Sequence, residues 1–385
     1  MRRVFVNGRI HAAGAFLTGH ALLVDGGRID AIVPEGDVRL DGAERHDLGG
    51  RLLLPGFIDT QVNGGGGVLF NDAPTVEGIR AIGAAHASGG TTGFLPTLIS
   101  DDLEVVTRGI AAVDAAIAAG VPGVLGIHIE GPYLSEARAG VHDPARFRAL
   151  DEAAVPRLGA LRRGRTLVTL APEMTTPEAF TRLAAAGVIL SAGHTNATGA
   201  QIESALARGL RGFTHLFNAM SPLTSREPGV VGTALADDTA WCGIIVDGRH
   251  VDPRVLKLAL KIRRHDRFML VTDAMPAVGT DARSSRLQER TLRVEGDCCV
   301  DGNGTLAGTA LTMSRAVRNA VSLLGLAPAE AVRMASEYPA EFLGLGATHG
   351  RLAPGLRADL LVADAMLEVH ETWIDGQLIA TGKRA

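Results

Sequence analysis

The chain has 385 residues, 46% of them hydrophobic and 21% charged, the balance of an ordinary globular protein and not of a disordered one. A net charge of −4 without a long basic run argues against nucleic acid or an anionic membrane as a partner. No stretch approaches the roughly 18 consecutive apolar residues of a membrane helix, and the opening "MRRVFVNGRIHAAG" is broken by Asn7 and Arg9, unlike a signal peptide or an anchor.

In chain order, "RVFVNGRI" and "HALLVDGGRIDAIVP" read as short strands joined by Asn-Gly and Asp-Gly turns. The same pattern returns at the far end in "ADLLVADAMLEVHETWIDGQLIAT". Neither piece is large enough for a stable sheet, so residues 1–52 and 350–385 are expected to combine into one small β-sandwich domain. Between them, residues 53–349 repeat a different unit. The apolar runs "PGFIDTQ", "TTGFLPTL", "VLGIHIEG", "TLVTLAPE", "VILSAGHT", "GFTHLFNA", "CGIIVDG" and "FMLVTDA" alternate with segments of helical periodicity such as "TVEGIRAIGAAHASGG" and "DPRVLKLALKIRRHD". Eight β-α units in about 300 residues predict an α/β fold, a closed (β/α)8 TIM-like barrel. An open doubly wound sheet is the alternative, but no G-x-G-x-x-G opens a helix after the first strand. "TLRVEGDCCVDGNGTLAG", 291–308, is expected as a β-hairpin excursion after the eighth strand.

In such a barrel the catalytic groups sit where strands end, because the loops there form the mouth. The first run ends in Gln61 and Asn63, the third in His128 and Glu130, the fifth in His194, the sixth in His215, the seventh in Asp247 and the eighth in Asp273. Singly, each suits a structural hydrogen bond or a helix N-cap. Together, Glu130, His194 and His215 offer one carboxylate and two imidazoles, the ligand set of catalytic zinc sites. A divalent ion there lowers the pKa of water toward ~7, and Asp273 is the carboxylate placed to carry the proton. His128 shares a face with Glu130 and is expected in the barrel interior behind the ligands. His11, His20, His46, His86, His265, His349 and His370 are assigned surface or structural roles. Cys242, Cys298 and Cys299 give neither a disulfide framework nor a C-x-x-C, so they read as reduced thiols of a cytoplasmic protein.

The motifs "PGFIDTQVNGGGG", "HIEGPYLS", "SAGHTNAT", "THLFNAMSPL", "REPGVVG", "IIVDGRHV", "LVTDAM" and "AGTALTM" resemble, in order and spacing over nearly the whole chain, the N-acetylglucosamine-6-phosphate deacetylase family of the amidohydrolase superfamily. The resemblance implies hydrolysis of the acetamide of N-acetylglucosamine 6-phosphate to glucosamine 6-phosphate and acetate. It makes Glu130, His194 and His215 the ligands of one divalent metal per subunit, zinc before iron, manganese or cobalt. Asp273 becomes the catalytic acid/base, and His142 in "AGVHDP" the group that binds and polarises the acetyl carbonyl. Phosphate recognition falls on Asn218, the backbone of Ala219, His250 and Arg226. Arg226 is expected to reach the neighbouring active site of a homodimer. Thr309, Ala310 and Leu311 look like the loop covering the sugar. Family members with Gln and Asn at the places of Gln61 and Asn63 carry a single metal, so these two side chains are expected as hydrogen-bonding groups. Cyclic-amide hydrolases and N-acyl amino acid deacylases typically use His-x-His on the first strand and often a lysine on the fourth, and this chain has neither. N-acetylgalactosamine 6-phosphate remains an alternative substrate, and a non-catalytic phosphosugar-binding barrel an alternative of another class.

Overall fold

A computed structural model describes residues 2–288 and 290–382, so residues 1 and 383–385 of the expected terminal domain lie outside the described residues. Among the described residues, the eight predicted runs form one eight-stranded sheet: β1 (Phe57–Val62), β2 (Thr91–Leu98), β3 (Gly126–Glu130), β4 (Arg165–Leu170), β5 (Ile189–Ala192), β6 (Leu210–Phe213), β7 (Trp241–Ile244) and β8 (Phe268–Leu270). Each strand pairs in parallel with the next. The ring closes where Val62, ending β1, bridges Ala274 just beyond β8. Every residue of β1, β2, β3 and β5 is buried, the signature of strands covered on both faces.

The connecting helices begin where side chains can satisfy free amides. Thr75, Thr176 and Thr198 each accept from an amide of the first turn, and Thr198 with Gln201 forms a capping box. The third unit departs from the pattern. Its helix is only Val155–Leu158, preceded by short 3-10 turns, because the chain leaving β3 first crosses the barrel mouth through His142.

The terminal segments build two sheets, one of four strands and one of six. The six-stranded sheet mixes Arg9–Ala12, Ala15–Thr18 and Leu52–Pro55 with Leu360–Ala363, Val369–Ile374 and Gln377–Thr381. It therefore extends to Pro55, past the limit expected at 52/53, because Leu52–Pro55 pairs antiparallel with Leu360–Ala363. Strand alternation sorts the side chains. Phe5, Leu22, Leu53, Leu360 and Val362 fill the space between the two sheets, whereas Leu52, Leu54, Leu361 and Ala363 face the barrel and join its core.

The excursion after β8 is larger than a hairpin. Ser284–Leu287, Arg290–Glu295, Cys298–Val300 and Leu306–Thr309 form a four-stranded antiparallel flap. The first of these strands, "SSRL", has too little apolar alternation to announce itself. Leu287, Leu292, Cys299 and Ala307 share one face and seat the flap on Leu69, Ile99 and Met275 at the mouth.

His86, on the helix Val76–Ala87, is buried and donates from Nε2 to Gly64 O at 2.8 Å, tying that helix to the bend after β1. Burial pushes its pKa down from 6.5 to about 4. The unfolded chain therefore binds this proton first, and the stability that neutral His86 brings is lost as the pH falls from 6.5 toward 4. Between pH 7 and pH 5, the stability of the protein relative to His86→Gln should drop by about 2 kcal/mol in urea unfolding. Parallel pH dependence of the two proteins would contradict the assignment.

Candidate active site

The side chains singled out at strand ends meet at the carboxyl end of the barrel around a cavity of about 410 Å³, the size range of a small-molecule site. Glu130 closes β3, while His194, His215 and Asp273 lie just past β5, β6 and β8 with φ of 48°, 34° and 52°. Such values are uncommon outside glycine. Backbone bonds over-determine them: Ser135 N–H donates to His194 O, Leu216 N–H to Gly243 O, and Thr309 N–H to Asp273 O.

Glu130 Oε1 lies 3.0 Å from His215 Nε2 and 3.4 Å from His194 Nε2, and the two ring nitrogens are 3.1 Å apart. His194 Nδ1 is 2.9 Å from Arg138 O. A carbonyl can only accept, so Nδ1 carries a proton, and the neutral ring turns Nε2 with its lone pair into the cluster. Burial pushes the Glu130 carboxyl up, but the two histidines outweigh it and hold Glu130 well below the usual range. The three convergent atoms, two imidazole nitrogens and a carboxylate oxygen, can hold a divalent metal.

Asp59 and Gln61 share one face of β1, and Asn63 follows one residue past its end. The Gln61 amide donates to Glu130 Oε1 and Oε2 at 3.2 and 3.1 Å and to Asp273 Oδ1 at 3.1 Å. Asn63 Nδ2 donates to the same Asp273 oxygen at 2.6 Å. Below them Asp59 is fully buried, accepts from Thr272 Oγ1, and is pushed up to about 7 by burial. Asp273 is raised too, by burial first and then by the charge of Glu130. His128 sits deeper in the interior, between Thr97 Oγ1 and Thr169 Oγ1 at 3.2 and 2.7 Å.

His142 is buried beside His194, with ring centroids 4.4 Å apart. Its Nδ1 receives the Ser100 amide at 3.3 Å and lies 2.8 Å from Ser100 Oγ. An acceptor at Nδ1 leaves the neutral ring's proton on Nε2, and burial, reinforced by His194, lowers its pKa to about 3. Ser100 escaped the search of strand ends, because the apolar run "TTGFLPTL" stops two residues short of it.

Asn218, Ala219 and His250 line the cavity, but Arg226 does not. It stands exposed in a loop, and among the described residues no hydrogen bond or ion pair holds it. Its neighbour Glu227 is engaged instead by the amides of Gly199 and Gly229 at 2.8 and 2.9 Å. Thr309 and Leu311 are also turned away: both are fully buried, and Thr309 Oγ1 donates to Thr272 O. The flap reaches the cavity instead with Gly304, Thr305 and the start of its last strand, where "DGNGTLAG" shows in sequence only a hairpin. Gly308 has φ of 67°, and a Cβ there would come within 2.6 Å of Asp273 O. At the remaining wall, Asp247 accepts from the amides of Arg249 and His250, from His250 Nδ1 at 2.5 Å and from Cys298 Sγ at 3.0 Å. Burial pushes the Asp247 carboxyl up, yet the bond and charge of His250 outweigh it and hold it well below the usual range.

Comparison with known proteins agrees with this architecture. The amidohydrolase family matches residues 52–379, and the NagA composite domain matches residues 4–53. An N-acetylgalactosamine-6-phosphate deacetylase of Shewanella sp. (strain ANA-3) is 46% identical over 86% of this chain and 84% of its own. The human N-acetylglucosamine-6-phosphate deacetylase is 37% identical over 97% of this chain and 95% of its own. The crystal structure of N-acetylglucosamine-6-phosphate deacetylase from Pasteurella multocida superposes with a TM-score of 0.94 at 37% identity, covering 98% of this chain and 99% of that one. The chain belongs to the amidohydrolase family, hydrolases of carbon–nitrogen bonds, and within it to the group of N-acetylated hexosamine-6-phosphate deacetylases.

Proposed function

We propose that the chain hydrolyses the acetamide of N-acetylglucosamine 6-phosphate, releasing glucosamine 6-phosphate and acetate, in amino-sugar catabolism or cell-wall recycling in the cytoplasm. The observation that carries the reading is the convergence of Glu130, His194 and His215 beside Asp273 in one cavity of a barrel of this family. The donor set fits a divalent ion, because the Nδ1 bond to Arg138 O turns His194 Nε2 inward and Glu130 is held ionised. Glu130, His194 and His215 would hold that ion, one per chain, with zinc ahead of iron, manganese or cobalt. When bound, such an ion polarises the amide carbonyl and acidifies water.

The chain's own residues supply the rest. Asp273 has Oδ1 occupied by the amides of Gln61 and Asn63, which leaves Oδ2 to take a proton from water and return it to the leaving nitrogen. Its raised pKa favours that shuttle. His142, neutral with its proton on Nε2, donates to the developing oxyanion of the acetyl group. Gln61 points amide protons at Glu130 and Asp273, where a second cation would need lone pairs, so a single metal is expected. The 6-phosphate anchors the sugar at Asn218, the Ala219 amide and His250, so a non-reacting group positions the acetamide. Among the described residues, no lysine or arginine lines the cavity. A second copy of the chain contributing Arg226, in a homodimer, supplies the missing cation for the phosphate.

The 46% identity to the Shewanella enzyme favours a second reading, in which the galacto epimer is the substrate. Steady-state kcat/KM on the two 6-phosphates decides, and a preference of tenfold or more for the gluco epimer is the expected outcome. Asp273→Asn should lower acetate release by about 10³-fold or more while calorimetry still shows phosphosugar binding; retained turnover would overturn the role. Elemental analysis of the purified protein should find about one divalent ion per chain, and Glu130→Gln should lose it.

A further inference from the structure

The wall of the cavity that carries His250 rests on one buried carboxylate. Asp247 follows β7, and its side chain is fully shielded from solvent. Oδ1 accepts the Arg249 and His250 amides at 2.8 and 2.9 Å, closing the turn that carries His250. Oδ2 faces His250 Nδ1 at 2.5 Å and Cys298 Sγ at 3.0 Å. Both contacts to Oδ2 need a proton on the partner, so His250 has its proton on Nδ1 and Cys298 stays a thiol. Cys298 is fully buried and belongs to the flap, in register with Thr309, whose amide holds Asp273 O. A second tie, Arg249 to Glu295 at 3.2 Å, joins the same turn to the same flap.

We propose that Asp247 is a positioning residue for recognition of the 6-phosphate: it fixes the His250 ring with Nε2 toward the cavity and, through the Cys298 thiol, locks the flap whose segment Gly304–Gly308 lines that cavity. The inference rests on the reading of His250 as a phosphate contact. Asp247, His250 and Cys298 are also residue types that ligate metals and lie within 4.8 Å of one another. The protons that their mutual contacts require speak for a hydrogen-bonded hub instead.

The test is kinetic and uses the whole enzyme with N-acetylglucosamine 6-phosphate and unphosphorylated N-acetylglucosamine. Asp247→Asn should raise KM for the phosphorylated sugar about tenfold and change kcat by less than about threefold. It should leave kcat/KM for the unphosphorylated sugar within twofold. A merely structural role would lower kcat on both sugars. In the background of His250→Gln, Asp247→Asn should add no more than about threefold, the share carried by the Cys298 tie to the flap, because the share carried by the ring is already lost. If His250→Gln alone spares the phosphate preference, the reading of His250 fails and this proposal with it. If His250→Gln reduces the preference but Asp247→Asn does not, only the role of Asp247 is overturned. Should Asp247→Asn not fold, Cys298→Ala removes one donor from the same carboxylate. It should reduce the phosphate preference about threefold, and an unchanged preference would overturn the role.

Discussion

The active site depends on keeping two buried carboxylates close together without letting them repel one another out of place. Glu130 and Asp273 both lose water on folding, and a shared site raises the cost of ionising the second. The Gln61 amide answers this by donating to both carboxylates at once, and Asn63 adds a second donor to Asp273. An amide keeps its protons at every relevant pH, so it donates always, whereas an imidazole there would switch between donor and lone pair. The choice of Gln and Asn on β1 is therefore a choice of donor over ligand.

That arrangement needs a firm floor, and the barrel interior provides one of hydroxyls in place of hydrocarbon. Thr97, His128, Thr169, Thr214 and Ser191 form a continuous buried chain across the strands, with contacts of 2.7 to 3.2 Å. Burial lowers the pKa of His128 to about 4, so the ring stays neutral and can donate at one nitrogen and accept at the other. A fully satisfied polar network of this kind is rigid, and a half-satisfied one would cost more than an apolar core.

The barrel was legible because each of its strands is a short apolar run, and β-α alternation leaves few topologies. Glu130, His194, His215 and Asp273 were legible for a related reason: the mouth lies at strand ends, so position in a run predicts position in space. Ser100 is not legible in this way, because it is a small polar residue past the apolar run, of a type that carries no ligand or acid/base signal. The flap's contact with the cavity was misplaced by a few residues, since Thr309 looks like a loop residue in sequence but is drawn into pairing beside Asp273. Asp247 was noticed, but nothing in the sequence shows that Cys298, distant along the chain, completes its partners. Local pattern finds elements, and only tertiary pairing assigns such partners.

The strand Leu52–Pro55 waits for a neighbour made long after it. Its antiparallel partner, Leu360–Ala363, leaves the ribosome about 300 residues later, some 15 to 60 seconds at ordinary elongation rates. Until then the nascent chain carries an uncovered apolar edge, the kind that templates unwanted pairing. The sheet beneath the barrel closes only when Leu360–Ala363 arrives, and Leu361 and Ala363 join the barrel core with it. A chain cut short between residues 273 and 360 would keep Glu130, His194, His215 and Asp273 and still lack the seam that fastens its two ends.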